Sequence, residues 1–143
     1  MKTVGQLLDQ KGHQIYSVDP DAPVFEAIKL MQEHGVGALL VMKNRRLVGI
    51  ISERDYARKV ILKGRSSKTT PIRDIMTAPV VCIGPERSIE ECMALMTDKR
   101  VRHLPVLKGM ELVGIVSIGD VVKATIAEQK FLIDQLERYI TGG

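Results

Sequence analysis

The chain has 143 residues, 45% hydrophobic, 27% charged and 3% aromatic, with a formal net charge of +4. That is enough aliphatic material for one compact domain or two very small ones. No apolar run approaches the roughly 20 residues of a membrane span, no apolar signal core follows Met1, and the positive charge is scattered over short clusters such as Arg45-Arg46, Arg58-Lys59 and Lys99-Arg100 rather than forming the dense basic face that nucleic acid needs.

A cytoplasmic protein with neither membrane nor nucleic acid as partner is therefore expected. Cys82 and Cys92 form no CxxC pair, and His13, His34 and His103 are scattered. This argues against a structural zinc site and for thiols buried in a reducing compartment.

In chain order, Ile15-Tyr16-Ser17-Val18 reads as a short extended segment that stops at the Asp19-Pro20 turn. A helix follows with Val24, Ala27, Ile28 and Met31 on one face. Two apolar runs, Gly37–Met42 and Leu47–Ile51, flank a turn at Lys43-Asn44-Arg45 and predict a hairpin. A further helix opens at Ser52. After a polar stretch at 63–71 the series recurs. Val80-Val81-Cys82-Ile83 is extended, Gly84-Pro85 is a turn, and Ile89, Cys92, Met93 and Met96 share a helical face. A second hairpin turns at Lys108-Gly109-Met110, and a last helix opens at Ser117. Val122, Ile126, Gln129, Ile133, Leu136 and Ile140 keep roughly helical spacing to Tyr139, and Gly142-Gly143 is a stop. This helix either covers a partner subunit or packs on its own domain.

The recurrence is a true repeat. Shifted by about 65 residues, the chain matches itself without gaps at roughly a third of positions. Leu47-Val48-Gly49-Ile50-Ile51-Ser52 falls on Leu112-Val113-Gly114-Ile115-Val116-Ser117, Asp55 on Asp120, and Pro20 on Pro85. After a small shift, Val4-Gly5-Gln6-Leu7-Leu8 also matches Ile72-Arg73-Asp74-Ile75-Met76. The organisation read from this is a first repeat at 1–62, a linker at 63–71, a second repeat at 72–127 and a C-terminal helix extension at 128–143. The fold class is α+β: two β-α-β-β-α repeats related by a pseudo-twofold axis and packed sheet to sheet, with two related clefts between them.

The sharpest chemical signal is Ser-x-x-Asp after a Gly-containing strand, present as Ser52-Glu53-Arg54-Asp55 and Ser117-Ile118-Gly119-Asp120. Ser followed three residues later by an acid is a capping box. The same helix start also suits phosphate, and an Asp one turn in can accept from a ribose diol. Phosphate donors beside a diol acceptor suggest a nucleotide, with Arg54 as a phosphate partner where the second motif has Gly119. The second signal is Val101-Arg102-His103-Leu104-Pro105-Val106. Pro105 suggests an edge or bulge with backbone left free for a ligand, and Arg102 and His103 add charge or donors that Val36-Gly37-Ala38 lack. No catalytic triad, P-loop or metal-ligand set is present, so an enzyme is not expected.

The duplicated pattern resembles the cystathionine β-synthase (CBS) domain family, as a tandem pair covering nearly the whole chain. The resemblance rests on Leu47–Asp55, Asp74-Ile75-Met76-Thr77, Val101–Val106 and Leu112–Asp120. It implies binding of AMP, ADP, ATP, NAD(H) or S-adenosylmethionine, in sites that are hybrids of the two repeats. One site would combine Thr77, Val81, Cys82, Val101, Arg102, His103, Leu104 and Pro105 with Ser52, Arg54 and Asp55. The other would combine Ser17, Val36, Gly37 and Ala38 with Ser117, Gly119 and Asp120, and would be weaker for want of cationic residues. A homodimer and a regulated protein on another chain are implied as partners. The expected function is a regulatory module that senses energy or redox state. The alternative is a ligand-free interaction module whose Ser-x-x-Asp motifs are only helix caps.

Overall fold

The described residues, 2–142 of a computed structural model, form α1 (Val4–Lys11), β1 (Ser17–Val18), α2 (Val24–His34), β2 (Ala38–Lys43), β3 (Arg46–Ser52), α3 (Glu53–Tyr56), α4 (Ile89–Lys99), β4 (His103–Lys108), β5 (Glu111–Ser117) and α5 (Ile118–Thr141). A π-helical turn, Ala57–Ile61, continues α3, and a 3₁₀ turn spans Ile72–Asp74. The class is α+β, with a three-stranded sheet ordered β1-β2-β3 and a two-stranded sheet β4-β5.

The two hairpins repeat each other in detail. Ala38 stands opposite Ser52 and Lys43 opposite Arg46; in the second copy His103 stands opposite Ser117 and Lys108 opposite Glu111. Each has an irregularity at the same place, between Val41 and Met42 and between Val106 and Leu107. Asn44 and Arg45, at φ 50° and 66°, close the first hairpin in two residues. A two-residue loop with both φ positive matches the right-handed twist of its strands.

One expected element is much reduced. Val80–Ile83 forms no strand, and only Ile83 bridges Val106, in parallel. The equivalent β1 pairs two residues, Ser17 with Leu40 and Val18 with Val41. Pro79 and Pro85 bracket the second segment, and a proline has no N–H to give a ladder. The bridge still closes two hydrogen bonds, from Ile83 N to Pro105 O (3.0 Å) and from Leu107 N to Ile83 O (3.0 Å).

The chain divides into two compact units that do not coincide with the sequence repeats. A central unit spans Gln14–Val81, and a flanking unit joins the residues up to His13 with those from Cys82 onward. The leading segment of each repeat thus packs on the body of the other. The docking is repeated bond for bond. In the central unit Ile72 N donates to Ala22 O (2.9 Å), Arg73 N to Pro20 O (2.9 Å) and Val24 N to Thr70 O (2.9 Å). In the flanking unit Val4 N donates to Arg87 O (2.8 Å), Gly5 N to Pro85 O (2.8 Å) and Ile89 N to Lys2 O (3.1 Å). Lone bridges join Pro23 to Pro71 and Thr3 to Ser88.

Burial explains why these segments stay docked. The central core holds Val18, Val24, Ala27, Met31, Leu39, Val41 and Ile51, together with Ile72 and Ile75 from the segment after the linker. The positions one repeat on, Ile83, Ile89, Cys92, Met96, Leu104, Val106 and Val116, are buried as well, as are Val4, Leu7 and Leu8. Each fully buried aliphatic side chain contributes about 1.5–3 kcal/mol. Two or three of them, with the backbone hydrogen bonds above, hold each leading segment in place. Gly49 and Gly114 make room for it: a Cβ on Gly49 would lie 2.5 Å from Met76 Sδ, and one on Gly114 2.8 Å from Leu8 Cδ1.

The last helix extends to Thr141, as its spacing predicts. Val121 is buried in the flanking unit, whereas Val122, Ile126, Ile133, Leu136 and Ile140 are exposed.

Candidate functional site

Both Ser-x-x-Asp motifs are complete capping boxes. The Asp55 amide donates to Ser52 Oγ (3.1 Å), and the Ser52 amide and hydroxyl donate to Asp55 Oδ2 (3.0 and 3.1 Å). The Asp120 amide donates to Ser117 Oγ (3.1 Å), and the Ser117 amide to Asp120 Oδ2 (2.8 Å). The first amide of each helix is also used: Glu53 N donates to Gly37 O (3.0 Å) and Ile118 N to Arg102 O (2.8 Å). The strand pairing brings these donors and acceptors together, because Ala38 faces Ser52 and His103 faces Ser117.

Beyond this shared frame the two carboxylates differ. In the central unit Asp55 Oδ1 accepts from Thr77 Oγ1 (3.2 Å) and pairs with Lys59 Nζ (3.1 Å), which also donates to Ile75 O (2.9 Å). Thr77 is fixed by two backbone bonds with Ile50 (2.8 and 3.1 Å). In the flanking unit Asp120 Oδ2 pairs with Lys11 Nζ (2.6 Å), and Lys11 also donates to Ile115 O (2.9 Å). The divergence starts in the leading segments. The segment after the linker makes a 3₁₀ turn and then pairs at Thr77, while the first continues as α1 and delivers Lys11 from its last turn.

The sequence-predicted residues fall into two groups. Ser17, Val36, Gly37, Ala38, Ser52, Arg54, Asp55, Thr77 and Val81 lie in the central unit. Cys82, Val101, Arg102, His103, Leu104, Pro105, Ser117, Gly119 and Asp120 lie in the flanking unit. Within the units, Gly37 and Ala38 are the hairpin neighbours of Ser52 and Asp55, and Arg102 and His103 those of Ser117 and Asp120. Ser17 stands opposite Leu40, two residues along β2 from Ala38. Arg54 and Arg102 are exposed.

Three expectations change. The Asp120 group does not lack a cation, since Lys11 supplies one; it was missed because 109 residues separate the pair and only α1 docking joins them. The backbone at Pro105 is not free, because Pro105 is buried and its carbonyl accepts from Ile83 N. His103 is not a cation at neutral pH: burial pushes its pKa down, with Lys11 and Arg102 adding to the effect against the pull of Asp120. Burial also raises the Cys82 thiol and pushes Cys92 up to about 11, so neither is a thiolate at neutral pH. Asp120 resists charge through burial, but hydrogen bonds from Lys11 and the Ser117 amide outweigh that and hold its carboxyl below the usual range.

The fold and these paired groups define a tandem α+β repeat in which each compact unit presents a capped helix start with a carboxylate and a lysine. The chain belongs to the CBS domain family, whose pattern matches residues 9–62 and 72–127. It is 45% identical over 148 residues to the mitochondrial CBS domain-containing protein CBSX3 of Arabidopsis thaliana, covering 100% of this chain and 70% of the relative. A solved CBS-domain protein from Burkholderia ambifaria MC40-6, described as acting in signal transduction, is 53% identical with a TM-score of 0.86, covering 90% of this chain and 96% of that one. The CBS domain pair of protein MJ0100, solved with 5′-methylthioadenosine and S-adenosyl-L-methionine, shares the fold at 22% identity with a TM-score of 0.79, covering 90% of this chain and 98% of that one. No helix among the described residues is long and apolar enough to cross a membrane.

Proposed function

We propose that this protein is a regulatory module that binds adenosine-containing ligands such as AMP, ADP, ATP or NAD(H) and reports them to a partner protein, without catalysing a reaction. The observation that carries this reading is the duplicated pairing of a helix-start aspartate with a lysine. A carboxylate accepts hydrogen bonds from a vicinal diol, and an ammonium a few ångströms away is matched to a phosphate. In the central unit the groups are Ser52, Asp55, Lys59 and Thr77, with Gly37 and Ala38 beside them. In the flanking unit they are Ser117, Asp120 and Lys11, with Arg102 and His103. The bound nucleosides of MJ0100 support the ligand class at the level of the fold.

The signal follows from what a ligand must displace. A diol on Asp120 competes with Lys11, and Lys11 anchors the last turn of α1 to β5 through Ile115 O. A ligand that binds the released form better shifts the population toward it. Self-association into a homodimer is part of the same proposal.

Calorimetry with AMP, ATP and NADH on the wild type, Asp55→Asn and Asp120→Asn tests this. Loss of one binding event in each variant is the expected result. Unchanged affinity in both removes the proposed sites, and no binding by the wild type removes the class.

The completeness of both capping boxes favours a second reading, an interaction module in which the motifs only start helices. It calls for no rise in stability with nucleotide, whereas a ligand at 100 times its dissociation constant adds about 2.7 kcal/mol.

A further inference from the structure

Six residues along α5 from Val122 to Ile140, five of them apolar, follow a repeat that the CBS core does not use. Val122, Ile126, Gln129, Ile133, Leu136 and Ile140 are spaced 4, 3, 4, 3 and 4 residues apart, the a and d positions of a heptad, with Ile at every a and Val, Gln and Leu at d. The stripe runs about 27 Å along the helix at 1.5 Å per residue. Its five apolar members are 44–80% exposed. The flanking unit is held by another face of the helix, through buried Val121 and through the Thr125 hydroxyl, 3.6 Å from Met93 Sδ on α4. From residue 129 onward every described side chain of α5 is exposed.

We infer that this stripe is covered by the same stripe of a second copy of the chain, running antiparallel. In that register each a residue meets a d residue across a two-fold axis. Val122 meets the partner's Ile140, Ile126 the partner's Leu136, and Gln129 the partner's Ile133, so six layers fill with no position unmatched. The flanking charges fit this direction. Lys123 faces the partner's Glu137 and Glu137 the partner's Lys123, giving two symmetric ion pairs. Leu132 meets its own copy on the other flank. Lys130 also meets its own copy, on the solvated rim where long side chains can turn apart. In a parallel pair Lys130 would lie against the partner's Thr125 and Glu137 against the partner's Leu132, and no ion pair forms. Antiparallel helices also align their dipoles favourably. A lipid surface fits poorly, because residues 122–141 carry three basic side chains (Lys123, Lys130, Arg138) and three acidic ones (Glu128, Asp134, Glu137) and so no net charge to draw them to anionic headgroups.

The inference rests on the self-association proposed above and assigns it a surface; it is independent of nucleotide binding. Sedimentation equilibrium on the full chain tests it. The wild type is expected to be a dimer, and Ile133→Lys to raise the dissociation constant by about 100-fold or more. Because Ile133 is 54% exposed, the melting profile of the CBS core should persist. Lys123→Glu and Glu137→Lys should each weaken the dimer by about five-fold, and the double variant should restore it. For direction, Gln129→Cys mixed with Ile133→Cys should yield a heterotypic 129–133 disulfide on mild oxidation, mapped by mass spectrometry. Homotypic 129–129 and 133–133 bridges in its place overturn the antiparallel pairing. A dimer indifferent to Ile133→Lys overturns this surface while leaving self-association standing, and a monomeric wild type overturns both.

Discussion

Lys11 and Asp120 lie 109 residues apart in sequence and 2.6 Å apart in space. Their side chains retain 32% and 23% exposure, so the pair is worth at most about 1 kcal/mol to stability. Its larger effect is on charge. Lys11→Met should therefore change the melting temperature little, yet move the Asp120 carboxyl back toward its ordinary pKa. Carbon-detected NMR titration of the side-chain carboxyls checks this, with the melting curve as control.

The pairing also sets a direction in pH. A carboxylate whose folded pKa is depressed contributes stability that is present above its unfolded pKa and lost as pH falls through the folded value. Asp120 belongs to this class. The histidines of the same unit oppose each other. His13 Nδ1 lies 2.7 Å from Val113 O and Nε2 2.9 Å from Asp9 Oδ1, and these acceptors raise its pKa above 6.5. Its contribution is full below 6.5 and fades as pH rises through the folded value. Burial lowers the pKa of His103, so its contribution is full above 6.5 and is lost as pH falls below it. Proton NMR should find His13 titrating above 6.5 and His103 below it. Amide exchange in α1 should quicken as His13 deprotonates.

The capping boxes give a prediction about stability. Ser52→Ala and Ser117→Ala should each cost about 1 kcal/mol by urea unfolding. The same loss is expected at Ser88, which caps α4 with Glu91 in an identical arrangement. A cost near zero at Ser52 or Ser117 would mean that the hydroxyl does not serve the helix.

The close approaches at the two strand glycines predict a further cost. In Gly114→Ala the new Cβ meets both Cδ atoms of buried Leu8 at 2.8 Å, and overpacking of this kind costs about 1–3 kcal/mol. Leu8→Ala in the same chain should recover part of the loss, a non-additivity that a double-mutant cycle reads directly.

The first hairpin can be improved. Arg45 sits at φ 66°, where a side chain with Cβ is disfavoured and glycine is not. Arg45→Gly creates Asn-Gly, the preferred pair for such a loop. It should raise stability by about 1 kcal/mol, measured as an increased denaturation midpoint at constant slope.

Much of this protein is written in local spacing. Helical and strand periods mark the positions that are buried in both copies, from Val18 and Ile83 to Ile51 and Val116. The Ser-to-Asp interval marks the two capping boxes. The spacing of Val122 to Ile140 marks a helix longer than the repeat requires. These features need only neighbours a few residues away, so the sequence by itself determines them. The strand expected at Val80–Ile83 shrank to one bridge, because its flanking prolines supply no N–H to pair. The tertiary structure alone decided which leading segment packs on which body, and hence that Lys11 stands at Asp120 while Thr77 stands at Asp55; Lys59, four residues from Asp55, is a local partner. Val4 to Leu8 and Ile72 to Met76 have nearly the same apolar pattern and could satisfy either body. The choice between them lies in long-range chain closure, which leaves no periodic mark in the sequence.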